Sequence, residues 1–457
     1  MELETYLRNE KNIKAFKIHE NNTVYYSTND KLEFTSNNDA KFWGKLFDLS
    51  YQKMERLSDA VSSTEVWKNS YDGSNFSDLE MNEWLNDTIS RINKLISKDC
   101  NVLEIGCGNG LIFNSIIDKI SYYTGTDIAE KGLELIANSV KGKLNADKIE
   151  LYQLDALNID KVPENKFNLI IINSVAQYFP SLDYLFKMLK KLELYVSSNC
   201  FIFLGDIRSF ELQNLFYLDV INSRESNLNN NELKNKIDFL KNRENEMFYH
   251  NNLFDILPKL FNFINFNIIE LKKGDFSNEL NKYRYDVTLV CNSNHKETSI
   301  TSEKWENYEK PEEEISKQVQ NLNGNEVLGI INIPNERYIN LTGKYKEIFN
   351  SGDSPVTSNS SQRNNTIPPS VSFFAAIAEK ENVFIQTKFN NEDFLKFDVY
   401  LSKEKYFNIP HSNDDINLQL LSNKLEEKKN NNDKAIEEQI HRIFSGVELK
   451  RVSNYLL

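Results

Sequence analysis

The sequence predicts an α/β protein whose central part is a seven-stranded, mostly parallel sheet flanked by helices. Between residues 100 and 291, short apolar runs rich in β-branched and aromatic residues alternate with helical segments, and seven such runs occur. The predicted strands are 101–105, 122–128, 149–155, 167–174, 200–207, 265–272 and 285–291. The last two lie close enough in the chain for the final strand to run antiparallel.

A helix is predicted directly before the first of these strands. Ser77 and Glu80 have the spacing of a capping box, in which the two residues satisfy each other's backbone N–H groups. Apolar residues from Met81 to Ile96 then recur at helical spacing. We therefore expect an amphipathic helix that leads into the sheet.

Changes in composition predict how the chain is divided. A core is expected between an N-terminal extension that supplies a helical lid and a C-terminal α/β addition that is interrupted by a linker rich in Ser, Asn and Pro. The predicted parts are the extension at 1–60, the core at 61–300, an accessory α/β segment at 301–349, the linker at 350–370 and a C-terminal accessory region at 371–457. The charged run at 425–434 is expected to be a solvated surface.

Charge and cysteine usage exclude several classes of function. The chain has 54 Lys and Arg against 67 Asp and Glu, a net charge of −13, which disfavours a protein that grips nucleic-acid backbones. The four cysteines form no CxxC pair and the histidines show no ligand spacing, so neither a disulfide framework nor a metal site is predicted. The sequence has no signal-peptide pattern and no membrane-spanning apolar run, which predicts a soluble cytoplasmic protein.

The segment VLEIGCGNG at 102–110 is the strongest local signal, because it joins a predicted strand to a predicted helix. Gly106, Gly108 and Gly110 permit a tight turn and let a ligand approach the backbone. The alternative is a purely structural turn. Cys107 invites interpretation as a nucleophile, which we reject because no histidine is nearby in the sequence to activate it.

Three acidic residues follow three successive predicted strands: Glu104, Asp127 and Asp155. The carboxyl ends of parallel strands border the crevice where open α/β sheets bind ligands. There, Glu104 can accept from an ammonium group, Asp127 from the two hydroxyls of a ribose and Asp155 from an adenine amino group. Each acid taken alone is more often a helix cap or a solvated loop residue, and the interpretation depends on all three together.

Five segments occur in an order that resembles a known family. They are VWKNSYDG at 66–73, VLEIGCGNG at 102–110, INSVAQYFP at 172–180, GDIRSF at 205–210 and SNELNKYRYDV at 277–287. Together they resemble the S-adenosylmethionine-dependent N-methyltransferase domain that is inserted in adenylation domains of nonribosomal peptide synthetases, a member of the class I methyltransferase superfamily. The resemblance covers about residues 60–340 and implies a Rossmann-like fold with S-adenosyl-L-methionine as cofactor.

The resemblance also implies the site residues. The expected cofactor contacts are Tyr71, Glu104, Gly106, Cys107, Gly108, Asp127, Ile128, Asp155, Ala156 and Asn173. Among the expected catalytic residues, Glu279 accepts the proton of an amine, while Asn173 and Tyr178 orient that amine. The alternatives are that Glu279 caps a helix or pairs with Arg284, and that Tyr178 begins a helix.

The expected reaction is methylation of the amino group of an aminoacyl or peptidyl substrate in nonribosomal peptide-type secondary metabolism. The substrate is expected to be presented by a carrier protein or to diffuse freely. Two alternatives within the same chemistry are a free small-molecule amine and a polyketide-like carbon. A non-catalytic scaffold module is the alternative from another class. Nucleic acid is not expected as a partner, since Asn173-Ser174-Val175-Ala176 replaces the N/D-P-P-Y/F strand exit of nucleic-acid amino methyltransferases.

Overall fold

The computed structural model describes most of the core and parts of both ends of the chain. The described residues are 13–18, 23–28, 36–54, 67–142, 146–163, 165–293, 298–349, 369–409, 421–423 and 448–451. Most of the predicted linker, residues 350–368, and the charged run at 425–434 lie outside them.

Strands form three sheets within these residues. They are β1 (Ile13–Ile18), β2 (Thr23–Thr28), β3 (Asn101–Ile105), β4 (Tyr122–Asp127), β5 (Ile149–Gln153), β6 (Phe167–Asn173), β7 (Val196–Arg208), β8 (Ile264–Leu271), β9 (Arg284–Cys291), β10 (Ser299–Lys304), β11 (Glu326–Pro334), β12 (Phe384–Phe389), β13 (Lys396–Ser402) and β14 (Glu448–Arg451).

Helices alternate with the strands of the core. They are α1 (Ser36–Met54), α2 (Asp78–Leu95), α3 (Leu111–Ile116), α4 (Glu130–Val140), α5 (Leu182–Leu192), α6 (Gln213–Arg224), α7 (Asn230–Asn242), α8 (Asn251–Leu260), α9 (Glu279–Tyr283), α10 (Pro311–Gln320), α11 (Ile339–Phe349) and α12 (Val371–Lys380). The predicted capping box is present, with Ser77 and Glu80 reciprocally bonded at the start of α2.

The seven-stranded, mostly parallel sheet is confirmed. Its strand order is β5-β4-β3-β6-β7-β9-β8, and β9 is antiparallel to both of its neighbours. The chain proceeds from β3 outward to β5 and then returns to β6 on the other side of β3. The strand order thus reverses between β3 and β6, which creates a crevice at the carboxyl ends of these strands.

Alternation along β6 shows how the sheet is buried on both faces. Leu169 and Ile171 belong to the cluster under α2, α3 and α4, whereas Ile170 and Ile172 belong to the cluster under α5 and α6. All four side chains are fully buried. Successive residues of a strand point to opposite faces, so an uninterrupted apolar run is what a sheet covered on both sides requires.

The C-terminal part of the chain forms a second sheet of order β10-β11-β13-β12. The accessory segment at 301–349 and the region after 370, predicted as separate parts, therefore contribute strands to one sheet. Val327 of β11 pairs with Ser402 of β13, a long-range contact with no local signal in the sequence. The hydroxyl of Thr387 in β12 accepts a hydrogen bond from the backbone of Leu271, so this sheet abuts the edge strand β8.

Strand pairing also relates the two ends of the chain, because β2 lies between β1 and β14. In the described ranges, no helix combines the length and the apolar character needed to cross a membrane.

Candidate functional site

A cleft opens at the carboxyl ends of β3, β4 and β6, where the strand order reverses. It encloses about 1110 Å³, part of which is open to solvent. Nine of the ten predicted cofactor contacts line it: Glu104, Gly106, Cys107, Gly108, Asp127, Ile128, Asp155, Ala156 and Asn173. The predicted catalytic residue Tyr178 lines it as well, whereas Tyr71 does not. The fold therefore brings residues from four strand ends into one concave site.

The glycine loop after β3 has a backbone that requires glycine. Gly106 has a φ of +77° and Gly108 a φ of +52°, both in the left-handed region. A Cβ at Gly106 would come within 2.3 Å of Val175 Cγ2, and one at Gly108 within 2.8 Å of the Tyr51 hydroxyl. The loop thus leaves its backbone facing the cleft, where a ligand can approach it closely.

Asp127 lies at the end of β4 and is buried. Its Oδ2 accepts a hydrogen bond of 2.8 Å from the backbone N–H of Gly108, and its Oδ1 accepts one of 2.7 Å from Ala129. Burial raises the pKa of Asp127 to about 6, although the two backbone donors oppose this shift. A carboxylate offers about four acceptor sites, so two further donors can be accommodated.

Glu104, at the end of β3, is the second buried carboxyl group of the cleft. Its Oε2 accepts a hydrogen bond of 2.6 Å from the hydroxyl of Tyr123. Burial, to which the charge of Asp127 adds, raises the pKa of Glu104 to about 8. Among the residues that the structure describes, neither carboxyl group pairs with a basic side chain. The cleft therefore favours a positively charged ligand.

Asp155 is a helix cap that also lies in the wall of the cleft. It is the N-cap of the 3-10 helix Ala156–Lys161, and its Oδ1 accepts from the backbone N–H groups of Leu157 and Asn158. It also lines the cleft, next to Ala156. Its carboxylate is thus fixed in orientation by the cap, while the residue borders the cleft.

An aromatic wall from α1 was missed by the sequence interpretation. Trp43, Phe47 and Tyr51 recur every four residues and all line the cleft. The rings of Trp43 and Phe47 lie 4.5 Å and 5.5 Å from the ring of Tyr178, centroid to centroid. The four-residue spacing of aromatic side chains was the available signal, and it was obscured by the polar residues around it.

The strand exit after β6 forms the other end of the cleft, together with Trp67 and Trp84, whose rings are 5.6 Å apart. Asn173 is 7% exposed, and its Oδ1 is buried without a hydrogen-bond partner within the described residues. Burial and the nearby charge of Glu246 raise the pKa of Tyr178, which therefore remains a neutral phenol. This end of the cleft offers polar atoms in a largely aromatic surface.

Two predicted site residues lie outside the wall of the cleft. Glu279 accepts a hydrogen bond of 2.7 Å from the backbone of Ser70, and its Oε1 lies 3.6 Å from Arg284 Nη2, as in the alternative interpretation. The Tyr71 hydroxyl donates to Asp219 Oδ2 over 2.9 Å. These contacts join the turn at 69–73 to α6 and α9, and neither side chain lines the cleft.

Cys107 is a wall residue and not a nucleophile. Its side chain is buried, and burial raises the pKa of the thiol well above the ordinary value, which disfavours the thiolate. In the described part of the chain, no group of His, Cys, Asp and Glu side chains is arranged to hold a metal ion.

Comparison with known proteins agrees with this geometry. Residues 96–263 match a family model described as a methyltransferase domain. The chain is 32% identical over 253 residues to the nonribosomal peptide synthetase dtxS1 of Metarhizium robertsii, and 33% identical over 235 residues to the nonribosomal peptide synthetase TES of Alternaria alternata. These alignments cover 54% and 50% of this chain but only 3% and 4% of the two relatives, so the chain spans a small part of their length.

Solved structures overlap with the core at low sequence identity. The phosphoethanolamine N-methyltransferase 1 of Haemonchus contortus is 16% identical, with a TM-score of 0.36, and the alignment covers 59% of this chain and 53% of that one. The N-methyltransferase NodS of Bradyrhizobium japonicum in complex with S-adenosyl-l-homocysteine is 13% identical, with a TM-score of 0.31 and coverages of 53% and 98%. The match to a methyltransferase domain covers residues 96–263, which include strands β3 to β7 and most of the residues that line the cleft.

Proposed function

We propose that the chain transfers a methyl group from S-adenosylmethionine to the amino group of an aminoacyl or peptidyl substrate in nonribosomal peptide-type biosynthesis. The observation that carries this proposal is the pair of buried carboxyl groups, Glu104 and Asp127, which lack a basic partner among the described residues and lie beside the glycine loop. Similarity over about half of the chain to nonribosomal peptide synthetases supports the choice of substrate.

The residues of the cleft fit the cofactor. Glu104 would accept hydrogen bonds from the ammonium group of its methionine part, and Asp127 would accept from its ribose hydroxyls. The loop at Gly106 and Gly108 would lie against it through the backbone, and Asp155 and Ala156 would border its base. When bound, the cofactor supplies a methyl group on a positively charged sulfur atom.

The protein's own contribution is to position the amine and to exclude water. Asn173 Oδ1 would accept an N–H of the substrate, which directs the nitrogen lone pair along the cleft. An α-amino group has a pKa of about 7.7–8.0, so about a fifth to a third of it is neutral near physiological pH and no strong base is needed. The rings of Trp43, Phe47 and Tyr178 would keep water from the reacting atoms.

The direct test is methyl transfer by the full chain. The protein is incubated with S-adenosylmethionine and, in separate reactions, the N-acetylcysteamine thioesters of the proteinogenic amino acids, the same free amino acids and a β-ketoacyl thioester. Mass spectrometry then locates any added methyl group. We expect N-methylated aminoacyl thioesters. Methylation of the β-ketoacyl carbon alone would contradict the proposal.

A calorimetric titration with S-adenosylmethionine separates the enzyme from a scaffold that has kept the fold. We expect saturable binding, since both carboxyl groups and the glycine loop are in place. Absence of heat at millimolar cofactor would favour the scaffold. A carrier protein loaded with the same amino acid tests the presentation of the substrate, because a carrier-dependent enzyme turns it over faster than the free thioester.

A further inference from the structure

Ser174 and Asp206 form an unusual pair next to the cleft. Ser174 follows β6, and Asp206 lies near the end of the neighbouring strand β7, at a bulge opposite β9. Both are non-glycine residues with positive φ, +55° and +63°. Such conformations are costly for residues with a Cβ and are concentrated at functional sites. The side chains meet, with Ser174 Oγ donating a hydrogen bond of 2.9 Å to Asp206 Oδ2.

Asp206 is held as a carboxylate. Its side chain is buried, and it accepts a hydrogen bond of 3.1 Å from Trp84 Nε1 while forming ion pairs with Arg284 and Lys272. Burial by itself would raise the pKa of Asp206, but the two basic side chains outweigh it and lower that pKa to about 2. Asp206 is therefore a permanent hydrogen-bond acceptor for Ser174.

Because Ser174 donates its hydroxyl proton to Asp206, it can act toward a ligand only as a hydrogen-bond acceptor. Ser174 lines the cleft, and its Oγ also receives a weak hydrogen bond of 3.3 Å from Asn173 Nδ2. With its proton directed at Asp206, only the remaining lone pair of Oγ is available to the cleft. Next to it, Asn173 Oδ1 is a buried acceptor without a partner in the described part of the chain. The strand exit thus presents two acceptors and calls for a ligand that brings two donors.

We propose that Ser174 and Asn173 form an acceptor pair that selects a neutral primary amine as the methyl acceptor, with Asp206 as the positioning residue that keeps Ser174 an acceptor. This inference rests on the function proposed above and narrows its substrate class. A neutral primary amine has two N–H groups and one lone pair. With both N–H groups bound, the lone pair has one direction left and points away from the strand exit.

The same pair discriminates against other nucleophiles. A secondary amine has one N–H and leaves one buried acceptor unsatisfied, so the product of the first methylation is a poorer substrate than the starting amine. The enolate of a polyketide-like carbon brings no N–H and leaves both acceptors unsatisfied. The expected outcome is a single methylation at nitrogen.

The decisive measurement is the preference of the full chain for a primary over a secondary amine. The probes are the N-acetylcysteamine thioester of an accepted amino acid and the same thioester already carrying one N-methyl group, and the readout is the ratio of their kcat/KM values. Ser174→Gly removes the hydroxyl and suits the positive φ. We expect kcat/KM for the primary amine to fall about tenfold and the ratio to fall with it, while the affinity for S-adenosylhomocysteine changes less than about twofold.

The matched control is Asn382→Gly, a change to glycine at an exposed residue with a φ of +53° that does not line the cleft. It should leave both the rate and the ratio unchanged. Asp206→Asn tests the positioning role of Asp206. In the wild-type background this change should lower the ratio of kcat/KM for the primary over the secondary amine. In the Ser174→Gly background it should lower that ratio no further, because Asp206 acts through Ser174. Should Asp206→Asn fail to fold, the Ser174→Gly variant decides the inference alone.

Three negative results are distinguishable. A wild-type protein that methylates no amine among the probes overturns the proposed function. A wild-type protein that methylates the primary and the secondary amine equally well overturns only the acceptor pair. An unchanged ratio in the Ser174→Gly variant overturns the proposed roles of Ser174 and Asp206.

Discussion

The backbone N–H of Gly108 donates a hydrogen bond of 2.8 Å to Oδ2 of Asp127 and so joins the glycine loop after β3 to the end of β4. The second carboxylate oxygen is bonded to the backbone of Ala129. One side chain therefore fixes two loops of the cleft.

Replacing Asp127 by Asn should weaken cofactor binding by about tenfold or more. The amide group would place an N–H opposite one of two backbone donors and remove the charge that those donors stabilise. Calorimetry with S-adenosylhomocysteine measures the change. The exposed residue Asp118 provides the control, since Asp118→Asn removes a carboxylate without touching the cleft. Equal affinities for the two variants would contradict the role of Asp127.

Cofactor affinity should rise with pH between about pH 6 and pH 8. Burial raises the pKa of Asp127 to about 6 and that of Glu104 to about 8, and a cationic ligand binds the ionised forms. Below these values binding has to release protons, so the dissociation constant falls as pH rises, by at most about tenfold per pH unit for each group. It stops falling near pH 8, where the ammonium group of the ligand itself begins to lose its proton. Glu104→Gln should flatten the upper part of this curve.

The unliganded protein should show the opposite trend in stability. An acid whose pKa is raised by folding stabilises the fold below its unfolded pKa of about 4.3, and this contribution is lost as pH rises through the folded pKa. For Glu104 the loss extends to about pH 8. Thermal unfolding without cofactor should therefore occur at lower temperature at pH 8 than at pH 5, with a smaller difference in Glu104→Gln.

The substitution Trp43→Ala, which removes the indole ring, should raise the dissociation constant of S-adenosylhomocysteine about three- to tenfold. The indole packs on Tyr178 at 4.5 Å and closes one wall of the cleft. Leu49 lies on the same helix and is 60% exposed, so Leu49→Ala is a matched control. A similar loss of affinity in both variants would show that the effect comes from a change in helix α1 and not from the missing part of the cleft wall.

Glu279→Gln should retain turnover to within about threefold of the wild-type value. The glutamine oxygen can still accept the N–H of Ser70, and Arg284 keeps its ion pair with Asp206. Steady-state kinetics with an accepted aminoacyl thioester gives the result. A loss of turnover of more than about a hundredfold, with unchanged cofactor affinity, would show that Glu279 takes part in the reaction.

Gly106→Ala should destabilise the protein more than Gly142→Ala. Both glycines have a φ of +77°, so the backbone cost of about 1–2 kcal/mol is shared. A Cβ at Gly106 would also meet Val175 at 2.3 Å, whereas nothing lies within 4 Å of one at Gly142. The additional overpacking should cost about 1–3 kcal/mol, measured by denaturant unfolding. Equal losses in the free energy of unfolding of the two variants would show that Val175 moves aside without cost.

Local patterns in the sequence were sufficient for the sheet and for one half of the site. Each strand of the core is a short apolar run, and the polarity of parallel strands places Glu104, Asp127 and Asp155 at one edge before any contact is known. The strand ends were less accurate: β7 starts at Val196, not at residue 200, because its pairing shifts across an irregularity opposite β6.

The sequence by itself determined the order of the strands' apolar runs, the glycine loop and the three acids, because these features depend on periodicity and on neighbours within a few residues. Only the tertiary structure decided which side chains face the cleft. Glu279 and Tyr71 take their partners at Ser70 and Asp219, 209 and 148 positions away along the chain. Likewise, Ser174 is turned toward Asp206 by the pairing of β6 with β7. A hydrogen bond depends on distance in space, and only the packed chain sets that distance.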